Sequence, residues 1–203
     1  MISTSSRIKY IGASDTHHVM GNWDTATFAK WWRQKQGIDT SSFHSIYTET
    51  GTAFEHKIAE QIGMDDIDRQ IYIDGINIRV NLDGTLDGEI IEIKTYKYKP
   101  NWKPSKDYRS QVQVEMWADK KKSAMIVAYA LEEDDYEDWT RPVDAGRLSY
   151  HPFDYDVDFI IDYLPRVIYL SDCIDKGLFP RKDAYESQLD EYQRRAKDYY
   201  VND

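Results

Sequence analysis

The fold is set by the segment Asn81-Leu-Asp-Gly-Thr-Leu-Asp-Gly-Glu-Ile-Ile-Glu-Ile-Lys94. The pair Asp87-Gly88 is favoured in tight two-residue turns, so the sequence predicts a β-hairpin over residues 82–96. Asp83 lies at the end of the first strand, and Glu92 and Lys94 lie two apart on the returning strand. Because side chains alternate between the faces of a strand, Glu92 and Lys94 share one face. The hairpin therefore brings two carboxylates and an amine together.

This set of groups suits a metal-dependent hydrolase. Two carboxylates, from Asp83 and Glu92, and the backbone carbonyl of Ile93 are hard oxygen ligands, which suit Mg²⁺ or Mn²⁺. Lys94 beside them would orient and help deprotonate an attacking water, or stabilise charge that develops on phosphate oxygens. Asp-x₈-Glu-x-Lys is a loose pattern by itself, and an exposed hairpin with a cross-strand ion pair is the alternative.

The segments around the hairpin predict a mixed α/β fold. Ser14 is a candidate cap for a short helix, and Asp24 for the helix that follows it. The predicted helices cover residues 25–36, 49–62, 105–118, 156–176 and 182–200. An earlier hairpin is predicted over 69–80, and further strands over 123–131 and 146–150. This order indicates an α/β (α+β) core with a central mixed β-sheet flanked by helices.

Size and composition narrow the class of protein. The chain has 203 residues, which fits a single domain over residues 1–203. No apolar run approaches the roughly 20 residues that a membrane-spanning helix needs, so we expect an intracellular, cytoplasmic protein without a membrane partner. The single cysteine, Cys173, excludes an internal disulfide framework and a cysteine-rich zinc site.

Charge is distributed unevenly along the chain. The net charge is −10, yet residues 94–109 carry five lysines and one arginine against one acid, a local charge of +5. Aromatic residues are interleaved with these cations, which suits a surface that holds a phosphate backbone while rings pack on sugars or bases. A solvated lysine-rich loop is the alternative. The segment 132–138 holds six acids in seven positions, and it predicts a solvated, mobile loop.

Four segments, in order, resemble the PD-(D/E)XK nucleases of the phage lambda exonuclease and YqaJ-type viral recombinase family. They are Ile11-Gly-Ala-Ser-Asp15 with Val19-Met-Gly21, Thr50-Gly-Thr-Ala-Phe-Glu55, the hairpin Asn81 to Lys94, and Ser110-Gln-Val-Gln-Val-Glu-Met-Trp117. The resemblance spans roughly residues 7–131. It implies a restriction-endonuclease-like core.

The resemblance also implies a role for individual residues. Asp83, Glu92 and the Ile93 carbonyl would hold a first metal ion, and Glu55 with Asp83 a second. Lys94 would be the catalytic lysine, and Gln111 would reach into the site from the next helix. Ser14 would contact the DNA phosphate, and Arg7 the 5′ phosphate. We place further DNA contacts in the basic segment, at Lys97, Lys99, Lys103 and Arg109.

The function implied is exonucleolytic degradation of linear double-stranded DNA, from 5′ to 3′, during phage-type recombination. The family works beside a single-strand annealing protein and often forms a trimeric ring. Leu82 and Asn81 replace the proline and serine of the family's Ser-Pro-Asp-Gly pattern, and Thr95-Tyr96 follows the lysine where Cys-Pro is usual, which leaves the preference among ends, nicks and flaps open. Two alternatives remain: a RecB-like or flap endonuclease of the same superfamily, and a non-enzymatic acidic DNA mimic.

Overall fold

A computed structural model describes residues 8–39 and 45–200. Its helices are α1 (Thr16–Met20), α2 (Ala26–Lys35), α3 (Ile46–Ile62), α4 (Lys106–Asp119), α5 (Glu133–Glu137), α6 (Val157–Lys176), α7 (Lys182–Glu186) and α8 (Leu189–Ala196). Its strands are β1 (Arg69–Ile73), β2 (Ile78–Leu82), β3 (Gly84–Leu86), β4 (Glu89–Lys97), β5 (Ser123–Leu131) and β6 (Leu148–Asp154).

The strands form one four-stranded sheet and one separate hairpin. The sheet has the order β3-β4-β5-β6, with β4 and β5 parallel and the other pairs antiparallel. Helix α4 makes the crossover that a parallel pair requires. Strands β1 and β2 pair with each other as a second, two-stranded sheet. The predicted central mixed sheet with flanking helices is confirmed, although the earlier hairpin is not part of it.

Apolar side chains cover both faces of the four-stranded sheet. On β4, Ile90 belongs to the apolar cluster that contains residues of α2, α4 and α6, whereas Ile91 and Ile93 belong to a second cluster with residues of α3. The alternation follows from the period of two along a strand. Glu92 and Lys94 follow Ile90 by two and four residues. They therefore lie on the same face of β4 as Ile90, the face towards α4. That the whole chain forms one domain stays a prediction.

Several helix ends differ from the predicted ones. Helix α2 is capped by Thr25, whose hydroxyl accepts from the backbone N–H of Phe28 at 3.1 Å, and not by Asp24. Before α1, the Asp15 carboxylate accepts from the N–H of Gly12 at 2.8 Å. The side chain of Ser14 makes no cap there. The predicted last helix is divided into α7 and α8.

The acidic segment is not the solvated loop that its composition predicts. Residues Glu133–Glu137 form α5, and the side chain of Asp135 is fully buried. Its carboxylate pairs with the guanidinium of Arg147 at 2.6 Å. A buried acid is stable in this place because a cation from a later part of the chain neutralises it.

Within residues 8–39 and 45–200, no helix combines the length and the apolar character that crossing a bilayer demands.

Candidate active site

Asp83 lies between β2 and β3, where the chain passes from the separate hairpin into the four-stranded sheet. Its Oδ2 atom accepts a hydrogen bond from the backbone N–H of Ile93 at 2.7 Å. The predicted turn forms at Asp87 and Gly88, with φ angles of 51° and 84° that suit a type I′ turn. The hairpin therefore holds Asp83 against the returning strand, close to Glu92.

Glu92 is buried on β4, and its two carboxylate oxygens have different surroundings. Oε1 accepts hydrogen bonds from the ammonium of Lys94 and from Nε2 of Gln111, the second at 2.6 Å. Oε2 is buried and has no hydrogen-bond partner among the residues that the structure describes. Glu92 therefore has one oxygen held by hydrogen bonds and one buried oxygen whose hydrogen-bonding capacity is not used by the described residues.

Lys94 is held as a cation by the carboxylates around it. Burial lowers its pKa, but the charges of Glu92 and Asp83 and the hydrogen bond to Glu92 outweigh that effect, and the pKa is raised. The ammonium also lies 5.0 Å from the centre of the Tyr108 ring. At neutral pH this residue is therefore a hydrogen-bond donor and a positive charge, so the structure does not favour it as a proton acceptor.

Glu55 reaches the site from α3. A Cβ atom at Gly51, one turn earlier, would lie 2.8 Å from Oγ1 of Thr95, so the glycine allows α3 to approach β4 closely. Burial and the nearby charge of Glu92 raise the pKa of the Glu55 carboxyl. The pKa of Asp83 is raised further above its ordinary value, by burial and by the charges of Glu92 and Glu55. The three predicted acids are thus close enough to repel one another.

A cluster of mutually repelling carboxylates suits a cation. In the part of the chain that the structure describes, no three His, Cys, Asp or Glu side chains are placed to enclose a metal ion by themselves. The predicted first site uses two carboxylates and a backbone carbonyl, and Mg²⁺ usually keeps several waters. The unpartnered Oε2 of Glu92 and the raised pKa of Asp83 both indicate that these residues fit a divalent ion.

A fourth acid, Glu115, belongs to this cluster and was not predicted as a site residue. It lies on α4 one turn after Gln111, is fully buried, and accepts a hydrogen bond from Nε2 of Gln111 at 2.8 Å. Burial raises its pKa, and the charges of Glu92 and Asp83 raise it further. A charged residue four positions after Gln111, within an otherwise apolar helix face, is the signal in the sequence that could have identified it.

The N-terminal turn carries the predicted phosphate contact. Ser14 is exposed in the 3₁₀ turn Ala13–Asp15, which packs against α4. The turn is fixed by Asp15, whose carboxylate binds the ammonium of Lys35 at 2.5 Å and the indole N–H of Trp31 at 2.8 Å. Neither partner was predicted from the sequence. Arg7, the predicted contact for a 5′ phosphate, lies outside the described residues.

The predicted DNA-binding cations lie at the end of β4, in the loop after it and at the start of α4. All four, Lys97, Lys99, Lys103 and Arg109, are exposed. Lys97 is engaged in an ion pair with Glu133 at 2.6 Å. Beside them the ring of Trp102 stacks on Tyr96, with 4.4 Å between the centroids. Tyr96 shares the strand face of Glu92 and Lys94, so the aromatic stack continues that face.

Comparisons with known proteins identify the fold. No protein-family model matches the sequence, and no curated protein matches it either. An alkaline exonuclease, LHK-Exo, from Laribacter hongkongensis has a similar structure, with a TM-score of 0.61 and 18% identity over 96% of this chain and 97% of that chain. Its complex with dAMP gives a TM-score of 0.60 and 19% identity over the same shares, 96% and 97%.

A phage-related exonuclease from Haemophilus somnus 129PT is also similar in structure. The TM-score is 0.57, with 13% identity over 85% of this chain and 96% of that chain. At sequence identities this low, the structural similarity shows a shared fold and nothing beyond the fold. The expected restriction-endonuclease-like fold is therefore confirmed, and so is the resemblance to the lambda exonuclease and YqaJ-type nucleases at the level of the fold.

Proposed function

We propose that the chain is a divalent-metal-dependent exodeoxyribonuclease that hydrolyses phosphodiester bonds of linear double-stranded DNA from its 5′ ends. One observation carries the proposal: the hairpin that gathers Asp83, Glu92 and Lys94 lies in a fold shared with exonucleases. The family resemblance supplies the direction of degradation, the preference for DNA ends and the role in phage-type recombination.

The metal ligands follow from the carboxylate cluster. Asp83, Glu92 and the carbonyl of Ile93 would hold one ion, and Asp83 with Glu55 would hold a second. Bound Mg²⁺, or Mn²⁺, lowers the pKa of a coordinated water and stabilises the entering and leaving oxygens of the phosphate. The raised pKa values of Asp83 and Glu55 support this assignment, because a cation would relieve the repulsion that causes them.

The remaining residues of the site bind and orient. The ammonium of Lys94 would donate to the attacking water or to a non-bridging phosphate oxygen, and it would offset the negative charge that grows there. Gln111 holds Oε1 of Glu92. Ser14 and Arg7 would bind the terminal phosphate, and Lys97, Lys99, Lys103 and Arg109 the backbone of the duplex.

The assembly is part of the same proposal. By the family resemblance, the chain would act beside a single-strand annealing protein and would form a trimeric ring around its substrate. Sedimentation of the purified protein tests the ring, because a trimer and a monomer differ threefold in mass.

The function is tested with end-labelled linear duplex and covalently closed circular duplex, each with and without Mg²⁺, and with the 5′ phosphate present or absent. We expect degradation of the linear duplex only, dependent on Mg²⁺ and faster with the 5′ phosphate. Glu92→Gln should lower turnover by about a thousandfold or more and leave the fold intact. Glu89→Gln is the control, because it makes the same change of charge on the same strand.

Each other result has a meaning. Cleavage of the circular duplex would support an endonuclease of the same superfamily. Indifference to the 5′ phosphate would count against Ser14 and Arg7 as its binding site. If metal did not stimulate any loss of DNA, the proposal that the chain is a nuclease would be contradicted, and an acidic DNA mimic would be favoured.

A further inference from the structure

Glu115 occupies a position where a carboxylate lowers the stability of the fold. Its side chain is fully buried on the face of α4 that packs into the core, beside Val112 and Met116. Gln111 is its one hydrogen-bond partner among the described residues, and the Oε2 atom has none. A buried polar atom without a partner costs about 1–3 kcal/mol. An apolar side chain would be more stable here, so packing does not explain the carboxylate.

The hydrogen bond from Gln111 to Glu115 fixes the amide of Gln111. The amide nitrogen carries two hydrogens, and both are accepted by carboxylates: Oε1 of Glu92 at 2.6 Å and Oε1 of Glu115 at 2.8 Å. The reverse orientation of the amide would set its carbonyl oxygen against Oε1 of Glu92, which already accepts from the Lys94 ammonium, and such a contact is repulsive. Gln111 is therefore held by two carboxyl groups, that of Glu92 on the hairpin and that of Glu115 on its own helix.

The position of Gln111 in turn determines which oxygen of Glu92 is engaged in hydrogen bonds. Oε1 of Glu92 accepts from both Lys94 and Gln111, and within residues 8–39 and 45–200 Oε2 has no hydrogen-bond partner. If Gln111 lost its anchor, its side chain would regain rotational freedom and Glu92 would lose one of the two donors that orient it. Groups that hold a metal-binding carboxylate through hydrogen bonds have large effects on metal affinity.

We propose that Glu115 is a positioning residue of the nuclease site, which acts through Gln111 to fix the Glu92 carboxylate with its Oε2 available as a ligand. The assignment rests on the proposed function. Glu115 acts through its hydrogen bond to Gln111, and the acceptor oxygen, not the charge, is what the site requires.

Two substitutions separate the role of the Glu115 acceptor oxygen from the role of its charge. Glu115→Leu removes the acceptor and keeps a similar volume, whereas Glu115→Gln keeps an acceptor oxygen without the charge. For Glu115→Leu we expect both Mn²⁺ affinity, measured by calorimetry, and turnover of linear duplex to fall about tenfold or more. Its Tm should be unchanged or higher, because a buried carboxyl with an unpartnered oxygen is removed. Glu115→Gln should lose less than about threefold in either measurement.

A double-mutant cycle tests the route through Gln111. If Glu115 acts through that amide, Glu115→Leu should have no further effect in a Gln111→Leu background. Gln113→Leu is the control on the same helix, because the Gln113 amide is also buried but bonds to the backbone of Asp154 and Asp156, at 2.9 Å and 2.7 Å. It should lower Tm and leave Mn²⁺ affinity unchanged.

The possible failures are distinct. Wild-type Mn²⁺ affinity and turnover in Glu115→Leu would overturn the assignment, as would equal damage from Glu115→Gln or independent, multiplying effects of Glu115→Leu and Gln111→Leu. A wild-type protein that neither binds Mn²⁺ nor degrades DNA would overturn the proposed function, and the assignment with it.

Discussion

Asp83 ionises with difficulty in the folded protein. Burial and the charges of Glu92 and Glu55 raise its pKa well above the ordinary value, which is about 3.9 in an unfolded chain. The folded state therefore binds the proton more tightly than the unfolded state does. Above about pH 4 the unfolded chain releases this proton first, so the free energy of unfolding falls as the pH rises towards the raised pKa.

Replacing Asp83 should remove this dependence. In EDTA, the Tm of the wild-type protein should fall between about pH 4 and neutral pH, and that of Asp83→Asn should fall less over the same range. The asparagine oxygen still accepts from the N–H of Ile93. Thermal unfolding followed by circular dichroism at several pH values measures the difference. Asp87→Asn is the control, because Asp87 is exposed in the turn of the same hairpin.

The pH experiment has a second arm that involves the metal. Added Mg²⁺ should raise the Tm of the wild-type protein at neutral pH, since an ion bound by ionised Asp83 stabilises the folded state. The same addition should have a much smaller effect on Asp83→Asn. Parallel pH profiles for the two proteins in EDTA would show that the site carboxylates do not repel one another, and would contradict the raised pKa.

The residues of the site differ in how far the sequence reveals them. Asp83, Glu92 and Lys94 are brought together by one hairpin, so a turn and the period of a strand were enough to place them. Glu115 and the anchor of Asp15 depend on side chains of helices that meet only in the folded protein. No local spacing predicts that Lys35 neutralises Asp15, or that a glutamate in a core-facing turn of α4 has its partner in Gln111.

Among the elements, β3 depends on one glycine. A Cβ atom at Gly84 would lie 2.6 Å from Cε of Met64 and 2.9 Å from the backbone oxygen of Asp65. The second contact cannot be relieved by a rotamer change, because Asp65 and Thr85 exchange backbone hydrogen bonds of 2.7 Å and 2.8 Å. A larger residue would therefore move β3, and with it the adjoining Asp83.

Gly84→Ala should consequently affect stability and activity together. We expect a loss of about 1–3 kcal/mol in the free energy of unfolding, as for other overpacked positions, and a clear fall in turnover at saturating metal. Gly88→Ala is the matched control. It lies in the turn of the same hairpin with φ 84° and no atom within 4 Å of the added Cβ, so it should cost about 1–2 kcal/mol and spare turnover. Urea unfolding and the linear-duplex assay measure both effects.

An active Gly84→Ala enzyme with normal stability would show that β3 adjusts without moving Asp83.

The helices and strands were predicted most accurately where the local sequence signal is strong. At Ser105, for example, the hydroxyl caps α4 by accepting from the N–H of Tyr108 at 3.2 Å. The acidic segment was mispredicted because its composition gives no sign of Arg147. That cation follows Asp135 by 12 positions, and it buries an acid that would otherwise be exposed.

For the whole molecule, the net charge of −10 conceals a separation of charge. The carboxylates that would hold metal lie on β4 and beside it, and the exposed cations extend from the end of the same strand into α4. A cation bound at these carboxylates would offset their negative charge, next to the place where the basic segment begins. The ion pair of Lys97 with Glu133 leaves Lys99, Lys103 and Arg109 as the stronger candidates for phosphate contacts.

This arrangement predicts that DNA binding depends on a few cations and weakens steeply with salt. In the Asp83→Asn background, which should bind without cleaving, the double substitution Lys99→Ala with Lys103→Ala should reduce the slope of log K against log salt by about 2, because each lost phosphate contact removes about 0.9. Lys176→Ala with Lys182→Ala removes the same charge from the C-terminal helices, where these lysines pair with Asp172 and Glu186, and should leave the slope unchanged. Fluorescence anisotropy of a labelled duplex over a range of salt concentrations measures both. Equal slopes for the two variants would mean that net charge, and not the basic segment, governs binding.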